Sequence, residues 1–300
     1  MHSLREYIAQ AQKDGKAVGH FNVSTLDGIW AVADAAQALG LPVIIGVSEG
    51  ERDYVGVRAA RAIVSSIRDE RKQPIFLNAD HTYSFERVKE AIDAGYDSVI
   101  FDGAKLPLDE NIEVTKKCVA YAQAYAKNAS STPSTLHPTP SCLIEGELGF
   151  IGSSSKILDA IPEGAVVGDK MMTKPEDAKR FVAVTGVDLL APAIGNIHGV
   201  VIGGDPALNP ARAGEISLAV GGLPLVLHGA SGNTADDIQK CIKAGIAIVH
   251  VNTELRIAYR GGLVKSLSDN HEEIAPYKYL KPAKLAMQKV VEEKLKIFNA

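Results

Sequence analysis

The sequence predicts an α/β chain folded as a (β/α)8 TIM barrel with an additional C-terminal helix. Three observations carry this. Eight short apolar runs alternate with amphipathic stretches along the 300 residues. Most of the runs are continuous and rich in Val, Ile and Leu, the pattern of parallel strands buried on both faces. The first run leads into Phe21-Asn22-Val23-Ser24-Thr25, where a doubly wound dinucleotide-binding sheet would carry a Gly-rich turn. Eight strand–helix units in roughly 250 residues match a closed barrel in count and length.

Strands are expected at Ala17–Val23, Pro42–Val47, Pro74–Ala79, Asp97–Asp102, Cys142–Gly146, Val187–Ala193, Pro224–Leu227 and Ile246–Val251. Between them, Phe85, Val88 and Ile92 share one helix face, as do Ile238, Cys241 and Ile242. Thr173 and Glu176 have capping-box spacing and predict a helix start that buries Phe181 and Val182. Lys127–Pro140 is polar and Pro-rich, a surface excursion on the helix-to-strand side. Leu148–Met172 follows the fifth strand and is long enough to be an active-site lid. Pro282–Phe298 reads as one more amphipathic helix, for packing or oligomerisation. A single domain is expected, with the barrel over about 1–270 and a helical extension over about 271–300.

Composition narrows the function. With 46% apolar residues and a net charge of −4, the chain is not of the disordered class. Lys and Arg (32) fall short of Asp and Glu (36), and no long basic patch occurs, so nucleic acid is not an expected partner. No apolar run approaches the ~20 residues that cross a bilayer. The polar N-terminus lacks the apolar stretch of a signal peptide. Cys118, Cys142 and Cys241 are too few and too scattered for a disulfide framework. The expected setting is the cytoplasm, with reduced thiols and no membrane contact.

Polar residues gather where strands end. Asp80-His81 closes the third strand and Glu147 the fifth; His198 lies just beyond the sixth, and His228 ends the seventh. All converge on the C-terminal rim, where barrel enzymes keep their active sites. One such His is most often a hydrogen-bonded structural residue. Three on separate strand exits have the make-up of a Zn²⁺ site with a fourth position open, though spacing alone leaves structural and metal roles evenly matched. Glycines beside them, in His198-Gly199 and His228-Gly229-Ala230-Ser231-Gly232, let the backbone approach an anion, and Asn252-Thr253 would complete the cradle. Alone, the same glycines would be turn residues.

Four segments together resemble a known family. Asn78-Ala79-Asp80-His81, Glu145-Gly146-Glu147-Leu148-Gly149, Gly195-Asn196-Ile197-His198-Gly199 and Leu227-His228-Gly229-Ala230-Ser231-Gly232 look like the signatures of class II ketose-bisphosphate aldolases. The likeness runs from about Leu4 to Arg260, in family order. It implies a TIM barrel in a homodimer or homotetramer, acting on a phosphorylated ketose. By position it implies His81, His198 and His228 as zinc ligands, Glu147 as a neighbouring or alternate-metal carboxylate, and Asp80 as the acid/base at the C4 oxygen. Gly199, Gly229, Ser231, Asn252 and Thr253 match the site for the dihydroxyacetone-phosphate end; Asn22 and Ser48 match substrate contacts, and Arg256 matches an arginine for the distal phosphate. The cofactor implied is Zn²⁺, with Co²⁺ or another divalent ion as substitute and a monovalent cation as a further option.

Departures from the family pattern fall around the ketose. His250 stands at a substrate-binding position where an Asn is usual, Ile202 replaces a frequent Lys, and Ala104-Lys105 stands where a Ser is common. Gly152-Ser153-Ser154-Ser155 replaces a Gly-Gly-x-Glu segment, so the lid carboxylate is missing. The expected reaction is cleavage of a ketose 1,6-bisphosphate, fructose 1,6-bisphosphate first, to dihydroxyacetone phosphate and glyceraldehyde 3-phosphate. The alternatives are an aldolase for tagatose bisphosphate or another phosphorylated ketose, and a catalytically impaired metal- and phosphate-binding barrel.

Overall fold

The computed structural model describes residues 2–129, 141–152, 155–161 and 172–300. Eight parallel strands close into a barrel in the order β1 (Val18–Asn22), β2 (Val43–Val47), β3 (Ile75–Thr82), β4 (Ser98–Phe101), β5 (Leu143–Leu148), β7 (Leu189–Pro192), β9 (Leu225–Leu227) and β10 (Ile246–Val251), which returns to β1. Each of the eight apolar runs is one of these strands. A separate two-stranded ribbon, β6 (Ile157–Leu158) with β8 (Val200–Val201), lies outside the barrel.

Helices join the strands: α1 (Leu4–Lys13), α2 (Leu26–Leu39), α3 (Glu49–Val55), α4 (Val57–Arg71), α5 (Phe85–Asp93), α6 (Leu108–Ala129), α7 (Pro175–Thr185), α8 (Pro210–Ala219), α9 (Ala235–Lys243), α10 (Thr253–Asp269), α11 (Pro276–Tyr279) and α12 (Lys281–Phe298). Their starts are written in side chains. Thr25, Ser84 and Thr234 accept backbone N–H groups of the first turns of α2, α5 and α9. Gly40 and Gly186 end α2 and α7 in the left-handed conformation.

Inside the barrel, residues two apart share a face, and the layers change character from bottom to top. Val18, Ile44, Phe76, Ile100, Leu143, Leu189, Val226 and Ile248, one from each strand, make the apolar floor, and Leu4 and Ile8 of α1 plug it from below. One step higher the inward residues are His20, Asn78, Glu145, His228 and His250, all buried. The polarity of the rim is thus reached within a few residues of each strand.

The C-terminal helix is part of the core. Ala283, Met287, Val291, Leu295 and Phe298 of α12 are buried against α2 and α10, and Ala17 donates its N–H to the Phe298 carbonyl at 3.0 Å.

Two expectations are corrected. Thr173 does not cap α7: Lys174 holds that position, while the Thr173 hydroxyl donates to the Leu148 carbonyl and accepts the Ala193 N–H at 2.9 Å. It ties β5 to the exit of β7; Phe181 is buried as expected, and Val182 only half-buried. Within the expected lid after β5, Ile157–Leu158 form β6 and pair with β8. Ser153, Ser154 and 162–171 of that lid, and 130–140 of the excursion, lie outside the described residues; Lys127–Ala129 close α6.

Candidate active site

Two adjacent residues, Asp80 and His81, both face one cavity, which a regular strand cannot arrange. The register explains it. Between the pairs Ala79–Val99 and Thr82–Phe101, β3 spends three residues and β4 only two. His81 occupies that bulge with φ +30°, a conformation few non-glycine residues adopt. Arg52 of α3 braces it from behind. Its guanidinium is fully buried and donates to the Val47 carbonyl at 2.8 Å, the Asp80 carbonyl at 3.0 Å and the Thr82 hydroxyl at 3.0 Å.

The three expected imidazoles come together. Ring centroids of His81 and His198 are 4.5 Å apart, those of His81 and His228 4.8 Å, and one nitrogen from each lies within 4.8 Å of the other two. Carboxylates orient two of the rings. His81 Nδ1 lies 2.9 Å from Asp102 and 3.4 Å from Glu147, and His228 Nε2 lies 2.7 Å from Glu145. With those nitrogens donating, His81 Nε2 and His228 Nδ1 turn their lone pairs toward each other at 3.2 Å, and His198 Nε2 is buried with no partner. Facing lone pairs are unfavourable unless a cation lies between them. The donor set therefore fits a divalent ion, held by neutral imidazoles whose far N–H groups are fixed by carboxylates.

The electrostatics show a demand for positive charge at this point, met by a metal ion or by a proton on His81. Burial, then the neighbouring His81 and His228, hold His198 well below its ordinary pKa, so it is neutral and can ligate. Burial also disfavours charge on His81, but Asp80, the hydrogen bond to Asp102 and Glu147 outweigh it and raise that pKa well above the usual range. Burial and Asp102 push Glu147 well above the usual carboxylate range.

Asp80 is buried and, against its desolvation, is kept well below the usual carboxylate range by His81 and His250. Its Oδ2 accepts from Asn22 at 2.9 Å, while Oδ1 has no hydrogen bond and faces His250 Nδ1 at 3.4 Å. His250 is register partner of His20 across β1 and β10, and the two rings stack at 3.4 Å, 3° from parallel. Burial drives the His20 pKa down to about 3, so its ring is neutral. The ring lies over Gly46, where any Cβ would fall on it.

The remaining predicted residues line two adjoining cavities. The inner one is bordered by Asn22, Gly199, Gly229, Ser231, His250 and Thr253, among others. The outer one, about 180 Å³, is bordered by Ser48, Tyr83, Ser155, Asn252 and Arg256 together with Asp80, His81 and His198. Gly199 and Gly229 have φ of +109° and +63°, and a Cβ at either would strike backbone or Leu158. Asn252 sits at the N-cap of α10, whose first turn faces the inner cavity and suits an anion. Arg256 pairs with neither Glu254 nor Asp27. Its Nη2 meets Glu51 at 2.6 Å and its Nη1 the Ser155 carbonyl at 3.2 Å. Among the departures, Ile202 is exposed and Lys105 rests over the Phe150 ring.

Five functional neighbours were not singled out from sequence: Glu51, Arg52, Asp102, Glu145 and His20. Period two could have found two of them, because Glu145 shares a strand face with Glu147, and His20 with Asn22.

Known proteins match this chain throughout. The family described as fructose-bisphosphate aldolase class-II matches residues 2–300. The fructose-bisphosphate aldolase of Staphylococcus aureus is 37% identical over 300 residues, covering 99% of this chain and 96% of that relative. That of Staphylococcus epidermidis is 36% identical with the same coverage. Among solved structures, the YdjI aldolase from Escherichia coli K12 has a TM-score of 0.79 at 28% identity, covering 99% of this chain and 96% of that one. A closed parallel barrel, three imidazoles converging beside Asp80 on its rim and a match over nearly the whole sequence lead to one conclusion: the chain belongs to the class II fructose-bisphosphate aldolase family, a family of metal-dependent carbon–carbon lyases.

Proposed function

We propose that this chain cleaves a ketose 1,6-bisphosphate, fructose 1,6-bisphosphate first, to dihydroxyacetone phosphate and glyceraldehyde 3-phosphate. The observation that carries the reading is Asp80, with one oxygen that has no hydrogen bond, beside three imidazoles whose nitrogens converge within 4.8 Å of one another. Asp80 Oδ1 takes the proton of the C4 hydroxyl. The C3–C4 bond breaks, the C4 oxygen becomes the aldehyde carbonyl, and the bonding pair passes to the C2 carbonyl to give the enediolate. A proton then returns to C3; Gly152–Ser155 offers no carboxylate for that step.

His81, His198 and His228 would hold the metal, with Glu147 as a further carboxylate. A bound Zn²⁺, or Co²⁺ in its place, supplies Lewis-acid stabilisation of the negative charge on the ketose oxygens. Asn22 orients Asp80, and neutral His250 donates to the ketose. Gly199, Gly229, Ser231, Asn252 and Thr253 receive the proximal phosphate, and Ser48 and Arg256 face the distal end. The same proposal includes a homodimer or homotetramer at work in the cytoplasm, its assembly checked by light scattering. A coupled cleavage assay on ketose bisphosphates, with and without chelator, tests the chemistry. Undiminished turnover in protein shown to be metal-free would overturn it.

A further inference from the structure

We infer that Glu51 sets the substrate preference of the outer end of the site: it holds the Arg256 guanidinium and cancels its charge, so a second phosphate gains little there. This deepens the aldolase reading and rests on it. The substrate class it points to is ketoses phosphorylated at the metal-proximal end, with either a hydroxyl or a phosphate at the other.

Glu51 is held from several sides. Its side chain is 7% exposed. One oxygen accepts from Arg256 Nη2 at 2.6 Å; the other accepts the Ser48 N–H at 2.8 Å and the Asn22 amide at 3.0 Å. The Ser48 bond is the returning half of a capping box at the start of α3, so the carboxylate is anchored by its own helix. It cannot swing away to release the arginine without giving up both of those hydrogen bonds.

A phosphate is gripped best by a guanidinium free to give two parallel N–H groups. Here one N–H of Nη2 goes to a carboxylate and one of Nη1 to the Ser155 carbonyl; three N–H groups remain, but the fork is already turned to Glu51 and its charge is matched. Among the described residues bordering the outer cavity, Arg256 is the only Arg or Lys, against Glu49 and Asp80 there and Glu51 behind them. An incoming dianion would meet a neutralised pair. A sugar hydroxyl meets the Ser48 and Tyr83 side chains without that conflict.

The test compares kcat/KM for fructose 1,6-bisphosphate and fructose 1-phosphate in the metal-loaded wild type, Glu51→Gln and Glu51→Ala. Gln keeps the capping-box geometry and removes the charge. Losing a charged partner from the arginine is expected to raise the bisphosphate-to-monophosphate ratio by about tenfold or more, mainly through KM. Affinities for an uncleavable hexitol 1,6-bisphosphate and hexitol 1-phosphate, measured by calorimetry, should move the same way. A ratio unchanged or lowered in both variants overturns the inference. If the wild type cleaves neither ketose, the fructose assignment fails, and the two affinities still decide whether Glu51 governs the second phosphate.

Discussion

The two ends of this barrel both bury charge, and they do it differently. At the bottom, Asp97 is 1% exposed and one of its oxygens takes Arg61 at 3.1 Å, Arg68 at 2.6 Å and the Leu77 N–H at 2.8 Å. Arg68 also donates to the Ile75 carbonyl, closing α4 onto β3. Arg61 keeps two unpartnered nitrogens, but that Asp97 oxygen is saturated. At the top, Asp80, Glu145, Glu147, His198 and His250 each keep a buried polar atom with no partner. A saturated carboxylate binds helix to strand. A cluster of unsatisfied ones is held in readiness for something that is not protein, and the fold bears its cost.

Four experiments would break or sharpen that contrast. The largest effect is expected on removing the metal: chelation should abolish cleavage and Zn²⁺ or Co²⁺ should restore it, with circular dichroism showing the barrel intact throughout. Next is Asp80→Ala, which should lower kcat by about 10²–10⁴-fold while elemental analysis finds metal content unchanged. Near wild-type turnover would mean that another group moves the proton.

At the other end the loss should fall on stability instead. Asp97→Ala leaves two guanidinium groups buried without their acceptor, a change that costs about 3–5 kcal/mol. Urea unfolding should register it, and a change below 1 kcal/mol would show that the bottom network is dispensable.

The smallest effect concerns Asp34 of α2, which pairs with Arg71 of α4 and Lys284 of α12. Partial burial works to raise its pKa, but the hydrogen bonds from Lys284 and Arg71 outweigh it and lower the value. A carboxylate depressed in the folded state stabilises fully above its unfolded pKa of about 3.9, and that gain disappears as pH falls through the folded value. Asp34→Asn should therefore melt lower than wild type at neutral pH, with the difference closing below about pH 4. A constant difference across that range would exclude Asp34 as its source.

The strands were legible because the barrel buries both of their faces, so each is written as an apolar run that no amphipathic helix imitates. The ligands were legible because they sit at the ends of those runs. Side chains that act through tertiary contact were not. Glu51 looks like a helix-capping residue and is one, yet its other oxygen reaches Arg256 across 205 positions of sequence. Arg52 looks like a surface arginine of a short helix and lies wholly inside. Thr173 and Glu176 have the spacing of a cap, but two backbone groups brought together by β5 and β7 compete for the same hydroxyl and win. The bulge at His81 leaves little mark in residue type, because His is enriched at positive φ but occurs far more often elsewhere; only the register of β4 reveals it.

The stacked His20 and His250 rings have a consequence for how this sequence can change. Gly46 has no side chain because the His20 ring fills the place one would occupy. Histidine at 20 and any larger residue at 46 exclude each other, so the two positions cannot vary independently. A lineage that gave up the ring could then fill position 46. One that filled position 46 first would have to displace the His20 ring from its stack on His250. The order of substitution is thus prescribed by the space inside the barrel, and Gly46→Ala should be tolerated with His20→Ala and damaging without it.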